Sequence, residues 1–194
     1  MNIDSLTILL SRKELPEHWQ ESLFERIPRP AQLHLFCLAH ATHLLSEDFS
    51  ALPPGRRLYC AHSHRLMGAP QPAEGSPFEA VGLALLGAMV RESQGTVSLP
   101  YSHWSGEMGE VGMKNIGILL GEEREVQQES IRLATGLAGC NHAVTLYSPV
   151  EPVELRMLLP ESSPLLDALE ELKADFKIAD PDSPPANHAL LLRL

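Results

Sequence analysis

The chain has 194 residues, of which 44% are hydrophobic, so it is long enough for one sizeable domain or two small ones with a buried core. Its 25 acidic residues outnumber its 15 basic ones, giving a formal net charge of −10. This balance argues against sequence-independent binding to nucleic acid, because a phosphate backbone requires a basic surface. Three cysteines without paired spacing argue against a disulfide framework and favour a reducing cytoplasm.

The start of the chain has neither feature of a secretory signal. It lacks a basic leading segment, and its apolar run at residues 6–10 is too short for a signal core. No window of the sequence is apolar for long enough to span a bilayer. We therefore expect a cytoplasmic protein without membrane contact.

The first part of the chain alternates short apolar runs, typical of buried strands, with segments of helical periodicity. The predicted strands are residues 6–10, 32–38, 57–61 and 96–99. The predicted helices are residues 14–27, 39–45 and 78–92. In the last helix, small residues such as Gly87 leave a smooth surface that suits close packing.

A glycine-rich segment, residues 105–112, reads as a linker, since it has neither the register nor the closing Gly-Lys-Ser/Thr of a phosphate loop. After it the alternation restarts. Strands are predicted at residues 115–120, 143–147, 176–179 and 189–192, and helices at 123–138 and 163–173, with Gly139 ending the first of these helices. We therefore predict an α/β protein with two mostly parallel halves, residues 1–104 and 113–194, that form a degenerate repeat.

Cys60 ends the third predicted strand, and His62, His64 and Arg65 follow shortly after it. The carboxyl end of a strand in an open parallel sheet is where such sheets bind ligands. A nearby positive charge favours the reactive thiolate, and a histidine can supply that charge or take the proton. If the strand continued beyond Cys60, residues 60, 62 and 64 would share one face. The pattern fits either a reactive thiol or a buried structural cysteine, and Gly68 would allow a tight turn after it.

The segment from Cys60 to Gly68 resembles the active-cysteine segment of the DsrE/TusD sulfur-relay family, in which a strand ends at a cysteine and a short basic stretch leads to a glycine. Residues 78–86 are similar to the family's Phe-x-x-x-Gly-Leu-x-x-Leu helix. Residues 115–144 are similar to its opening strand, helix and second strand. The resemblance implies two small DsrE-like halves of flavodoxin-like architecture.

The same resemblance implies a function. The chain would carry sulfane sulfur as a persulfide on Cys60 and pass it to a partner protein, as a possible sulfurtransferase or carrier. It would need no cofactor and would form a homo- or hetero-oligomer. Cys60, His62, His64 and Arg65 are the expected catalytic residues, and Gly68 is an expected substrate-binding residue. The two histidines depart from the small residues usual in the family.

In the second half, the place that matches Cys60 falls near Ala179 or Asp180 and offers no thiol. The resemblance therefore implies one sulfur site per chain, with sulfur donor and acceptor proteins as its partners.

Three other interpretations stay open. Cys60 would be a buried structural cysteine, as Cys37 and Cys140 are expected to be, since free cysteine is among the most buried residue types. The chain would be a non-catalytic subunit of a DsrE-type oligomer that packs against partners through its small-residue surface. It would be a metal-binding protein, because zinc and copper prefer the side chains of Cys37, His40, His43, Cys60, His62 and His64.

Overall fold

The computed structural model describes residues 3–99, 111–179, 188 and 190–194. The chain divides into two compact units. The first consists of Met1–Gly82 with Glu92–Val111, and the second of Leu83–Arg91 with Gly112–Leu194. The chain therefore leaves the first unit for one helix before it returns. Most of the predicted linker, residues 105–110, lies outside the described residues.

Five parallel strands form the sheet of the first unit. They are β1 (Ser5–Leu10), β2 (Gln32–Cys37), β3 (Arg57–Cys60), β4 (Phe78–Val81) and β5 (Gly95–Leu99), in the order β4-β3-β2-β1-β5. The central strands are apolar on both faces because both faces of a parallel sheet are buried. Ile8 and Leu35 on one face are 0% exposed, and Leu9 and Phe36 on the other face are 2% and 0% exposed.

Helix α1 (Trp19–Arg26), a 3-10 helix (Ala39–Leu44) and the short α2 (Ala61–Leu66) complete this unit. Leu23 of α1 and Leu44 of the 3-10 helix belong to the same apolar core as the strands. Phe49 meets Trp19 and Phe78 edge to face, with ring centroids 6.4 and 5.8 Å apart. These aromatic contacts close the core beside α1.

Four parallel strands form the sheet of the second unit. They are β6 (Asn115–Leu119), β7 (Ala143–Ser148), β8 (Asp175–Ile178) and β9 (Leu190–Arg193), in the order β8-β7-β6-β9. Its helices are α3 (Leu83–Glu92, of which residues 83–91 belong here), α4 (Arg124–Gly139), α5 (Pro152–Leu158) and α6 (Ser163–Glu171). The predicted α/β class with largely parallel strands is therefore confirmed. Helix α5 is absent from the predicted elements, although Pro152 in its first turn is a helix-start signal.

Two glycines allow α3 and α4 to lie close together. A Cβ at Gly136 would be 2.9 Å from the Leu83 Cβ, and a Cβ at Gly87 would be 2.4 Å from the Cys140 Sγ. Both distances are too short for a real side chain, so a larger residue at either position would force the helices apart. Gly87, predicted to suit packing against partners, is therefore used for packing inside this chain.

The segment predicted as one helix over residues 78–92 is strand β4 followed by α3. Phe78–Val81 pairs with β3, with Phe78 opposite Arg57 and Val81 opposite Cys60. The Phe78 side chain is buried in the core against Phe49. Strand pairing and burial of this ring outweigh the helical periodicity of the local sequence.

The predicted start of α1 is also wrong. The helix begins at Trp19 rather than at Glu14, and residue His18 before it has a left-handed backbone with φ 55°. The Trp19 N–H donates to the Pro16 carbonyl at 3.1 Å. Pro16 therefore belongs to a turn that precedes the helix. The predicted helix over residues 39–45 is a 3-10 helix.

The left-handed residue after α4 lies two positions later than predicted. Gly139 lies inside the helix, and the left-handed residue is Asn141, with φ 65°. The His142 N–H donates to the Leu137 carbonyl at 3.2 Å, and the Asn141 N–H to Ala138 at 2.9 Å. This is a Schellman motif with asparagine in the place that glycine usually takes, because a short polar side chain tolerates the left-handed conformation.

Candidate functional site

The carboxyl ends of β1, β2 and β3 lie side by side, because these strands are parallel neighbours. Ser11 follows β1, Ala39 and His40 follow β2 after one residue, and Cys60 ends β3. Open parallel sheets bind ligands at this edge. We call these residues, with α2, the carboxyl edge of the first sheet.

Cys60 is both the last residue of β3 and the N-cap residue of α2. Its Sγ accepts a hydrogen bond from the Ser63 N–H at 3.5 Å. The sulfur thus takes the place that a serine or aspartate oxygen usually occupies at the start of a helix. Cys60 is 0% exposed, so a reagent reaches the sulfur only when the neighbouring chain moves.

Because the chain turns into α2 directly after Cys60, residues 60, 62 and 64 do not share a strand face. His62 and Arg65 are exposed, whereas His64 is 5% exposed. The His64 Nε2 lies 3.0 Å from the Pro70 carbonyl oxygen, and its ring packs at a tilt against Tyr59. One ring nitrogen of His64 therefore holds the loop after α2.

Gly68 provides the predicted tight turn. Its φ of 61° is left-handed, and it ends α2 in a Schellman motif. The Gly68 N–H donates to the Arg65 carbonyl at 3.3 Å, and the Ala69 N–H to the His64 carbonyl at 3.1 Å. Glycine is favoured here because a Cβ makes this conformation costly. Its assignment as a substrate-binding residue stays a prediction.

Sequence reasoning does not identify Ser11, which ties three elements together at this edge. Its Oγ and its N–H both donate to the Leu99 carbonyl, at 3.3 and 3.4 Å, and its carbonyl accepts from the Ala41 N–H at 3.2 Å. The strand order reverses between β1 and β5, and ligands of open α/β sheets bind at such a reversal. A polar residue directly after an apolar strand is the signal that points to Ser11.

Ala39 is a second residue that the sequence does not reveal. It is buried and has a left-handed backbone, with φ 48°, and its carbonyl accepts a hydrogen bond from the Thr42 hydroxyl at 2.7 Å. A left-handed alanine carries strain, and strained residues concentrate at functional sites. This one lies at the end of the strand beside Cys60.

The six candidate ligands for a metal do not form a site. Within residues 3–99, 111–179, 188 and 190–194, no three His, Cys, Asp or Glu side chains come together so that they could hold a metal ion. Cys37 has no exposed surface, and burial raises the pKa of its thiol to about 12, so it stays a neutral core residue. The His43 Nε2 lies 3.2 Å from the Met67 carbonyl oxygen. The hypothesis of a metal site therefore has no support in these residues.

Cys140 lies in the second unit, directly after α4. It is half-buried, and its Sγ donates a weak hydrogen bond to the Ala84 carbonyl at 3.6 Å. Since Gly87 leaves room for this sulfur, Cys140 is part of the packing between α3 and α4.

No helix in the described part of the chain is both long and apolar enough to cross a membrane. No protein-family model, no curated protein and no solved structure matches the chain.

Proposed function

We propose that the chain is a sulfur-relay protein that accepts sulfane sulfur on Cys60 as a persulfide and passes it to a partner protein. The observation that supports this function best is the place of the Cys60 sulfur, which ends a parallel strand and accepts the Ser63 N–H. A backbone N–H that donates to sulfur stabilises its anionic form. The Cys60 thiolate would use this donor.

The transfer follows from thiol chemistry. The Cys60 thiol gives its proton to a base, and its thiolate attacks the outer sulfur of a donor persulfide. The S–S bond of the donor breaks, and the donor leaves as a thiolate. In the second step the acceptor's thiolate attacks the outer sulfur of the Cys60 persulfide, and Cys60 leaves as a thiolate.

The neighbouring residues have different roles in this proposal. His62 is exposed and would take the thiol proton, and the exposed Arg65 would attract an anionic donor. His64 is a positioning residue, since it holds the loop after α2 through Pro70. Gly68 ends α2 and would set how readily this short helix opens over Cys60.

The strand orders support the interpretation as two DsrE-like halves. In each sheet the first three strands lie side by side in sequence order, and the last strand of the unit pairs with the first. On this correspondence β8 matches β3, and β8 ends at Ile178 without a cysteine. One sulfur site per chain, a cytoplasmic location and an oligomer belong to the same proposal.

The test is the intact mass of the protein after incubation with a persulfide donor. We expect a gain of one sulfur atom that dithiothreitol removes and that Cys60→Ser abolishes. Cys140→Ser is the matched control. Cys140 is half-buried whereas Cys60 has no exposed surface, so loading that followed accessibility alone would occur at Cys140. Unchanged loading in Cys60→Ser, or loading that only Cys140→Ser abolishes, would contradict the proposal.

One observation favours a non-catalytic interaction subunit as the second candidate. On α5, Val153 and Met157 are 72% and 79% exposed and lie four residues apart, on one face of the helix. Exposed apolar side chains in such a row are typical of contact surfaces. A protein that takes no sulfur but co-purifies with a related subunit would fit this second function.

A further inference from the structure

Three polar residues of the second unit, far apart in the sequence, are joined by hydrogen bonds. The Tyr147 hydroxyl lies 2.6 Å from the His188 Nε2, and the His188 Nδ1 lies 3.0 Å from the Asn115 Oδ1. Because an amide oxygen only accepts, the Nδ1 carries the hydrogen and the Nε2 has a free lone pair. The Tyr147 O–H therefore donates to His188.

The fold of the second unit builds this row of side chains. Asn115 begins β6, and Tyr147 lies near the carboxyl end of the neighbouring strand β7, opposite Leu119. His188 lies over Gly117 of β6, where a Cβ would be 2.8 Å from the ring. Gly117 therefore leaves room for the His188 imidazole, which connects Tyr147 to Asn115.

His188 and Tyr147 are in the protonation states that a general base and its hydroxyl nucleophile require. Burial, followed by the positive charge of Lys177, lowers the pKa of His188, so the imidazole is neutral at pH 7. Burial, followed by the carboxylate of Asp175, raises the pKa of Tyr147, so the phenol keeps its proton. A protonated phenol is a weak nucleophile until a base removes the proton during the reaction.

We propose that Tyr147, His188 and Asn115 form a second reactive site, in which His188 activates the Tyr147 hydroxyl as a nucleophile towards a small acyl donor. The arrangement is that of nucleophile, general base and orienting group that covalent catalysis uses. Asn115 is the positioning residue, because its oxygen fixes the imidazole tautomer. This site shares no residue with the carboxyl edge of the first sheet.

The charges around the hydroxyl favour an acyl group over a phosphoryl group. Lys177 lies opposite Tyr147 on β8 and is exposed, and Asp175 is two residues before it on the same strand. Arg193 at the same sheet edge is held by Glu122 at 2.9 Å. Asp175, whose carboxylate raises the pKa of Tyr147, would repel a dianionic phosphoryl group more strongly than the singly charged oxyanion that forms when an acyl group is attacked. Lys177 can offset this repulsion for the single charge.

Transfer of the acyl group to Tyr147 needs no reactant besides the ester. The Tyr147 oxygen attacks the carbonyl carbon of an ester, its proton passes to the His188 Nε2, and the alcohol portion of the ester leaves as an oxyanion. Tyr147 then carries the acyl group as an ester. Since Tyr147 is only 6% exposed, the acyl group has to be small.

The test uses p-nitrophenyl acetate with the full chain, and peptide mass mapping locates the acetyl group. We expect Tyr147 to be acetylated on the order of a hundred times faster than Tyr59, which is the gain that a positioned general base supplies. Tyr59 is the matched control within the same chain, because its ring also packs against a histidine, His64, whose Nε2 is engaged by Pro70. Equal rates at the two tyrosines would overturn the proposal.

Three further measurements distinguish a catalytic role of these residues from a purely structural one. The rate at Tyr147 in the wild-type chain should rise with pH and level off above a midpoint below 6.5, the ordinary pKa of histidine, because the neutral imidazole is the base. Asn115→Asp should move this midpoint upwards, since a carboxylate stabilises the imidazolium. His188→Gln should remove the rate advantage, and a rate that is unchanged in this variant, or that follows the ionisation of the phenol itself, would also overturn the proposal.

Discussion

Cys60 shows how a single side chain can serve two purposes at the residue scale. Its sulfur begins α2 by accepting the Ser63 N–H, and it is also the atom that a sulfur donor would have to reach. Because Cys60 is 0% exposed, a sulfur donor would reach its sulfur only when α2 opens locally, whereas the Ser63 N–H would stabilise the thiolate while α2 is formed. The left-handed Gly68 at the other end of the helix would therefore affect how readily the sulfur is exposed without touching it.

We predict that Gly68→Ala accelerates the alkylation of Cys60 by iodoacetamide under native conditions. A Cβ in the left-handed conformation at φ 61° costs about 1 kcal/mol, which favours the open state by roughly fivefold. Quenched reactions followed by peptide mass mapping would give the rate.

Gly75→Ala is the matched control for this prediction. Gly75 also has a left-handed backbone, with φ 81°, and a Cβ there meets no atom within 4 Å, as at Gly68. It lies in the loop between α2 and β4 rather than at the end of α2, so we expect a similar loss of stability without the faster reaction. An equal acceleration in both variants would mean that global unfolding, and not the opening of α2, exposes Cys60.

The local structure around individual site residues is what the sequence predicts least well. The sequence predicts that Cys60 ends a strand, and β3 does end there. The immediate start of α2 depends on the N-cap bond, and the left-handed Ala39 depends on packing around the 3-10 helix, so neither is visible in residue type alone. Ser11 is missed because its hydrogen bonds to Leu99 join strands that are far apart in the sequence.

At the element scale, His142, which follows α4, connects α3 to the chain before β6 by two hydrogen bonds. The His142 Nδ1 accepts the Lys114 N–H at 3.1 Å, so the ring hydrogen is on Nε2, which donates to the Gly87 carbonyl at 3.0 Å. A protonated His142 would carry hydrogen on both nitrogens and would lose the bond to Lys114. The Arg91 and Lys114 charges face the same ring and oppose its protonation.

We predict that acid weakens the second unit through His142. Burial is the largest cause that lowers the pKa of His142 from its ordinary value of 6.5. The unfolded chain therefore binds the proton more readily, so the contribution of His142 to stability is complete above pH 6.5 and is lost as the pH falls below it. Hydrogen exchange of the amides of α3 between pH 7 and pH 5 would measure the effect.

His142→Gln is the control, because glutamine can still donate and accept but does not titrate. We expect the acid-dependent part of the exchange in α3 to be absent from this variant. The prediction fails if α3 in wild-type protein and variant loses the same protection over this pH range. The other histidines are retained in both proteins, so their titration cancels in the comparison.

Buried strands that contain several apolar residues are among the elements that the sequence predicts well. β1, β2 and β7 are long buried strands, and the predicted bounds differ from the observed ones by only a residue or so at their ends. β4 is misjudged because four residues at a sheet edge, Phe78–Val81, also satisfy a helical pattern. Only the pairing with β3 decides between the two, and pairing is a property of the folded chain.

At the scale of the whole molecule, the two units do not correspond to two continuous stretches of chain. Residues 83–91 belong to the second unit, although residues 92–111 return to the first. Periodicity predicts a helix there, but it gives no information on which sheet the helix joins, because the decisive contacts of Leu83 and Gly87 are with Gly136 and Cys140. The predicted halves at residues 1–104 and 113–194 place this helix with its sequence neighbours instead.

We predict that a fragment of residues 83–194 is more stable than a fragment of residues 113–194. The longer fragment retains α3, whose Leu86 and Val90 have no exposed surface, whereas the shorter one leaves its docking site on α4 uncovered. Urea unfolding followed by circular dichroism should show a higher midpoint for the longer fragment. Equal midpoints, or a higher midpoint in a Gly87→Val version of the longer fragment, would contradict the assignment of α3 to the second unit.

The interleaved path of the chain has a consequence for synthesis on the ribosome. Helix α3 leaves the exit tunnel before α4, so Leu83 and Gly87 emerge before Gly136 and Cys140, the residues that they contact. Strand β5, which completes the first sheet, emerges while α3 still lacks this partner. An apolar helix whose docking site has not yet been synthesised exposes its surface to chaperones and to aggregation. Between the emergence of residues 92 and 140, the nascent chain therefore exposes the surface of α3 that later contacts Gly136 and Cys140.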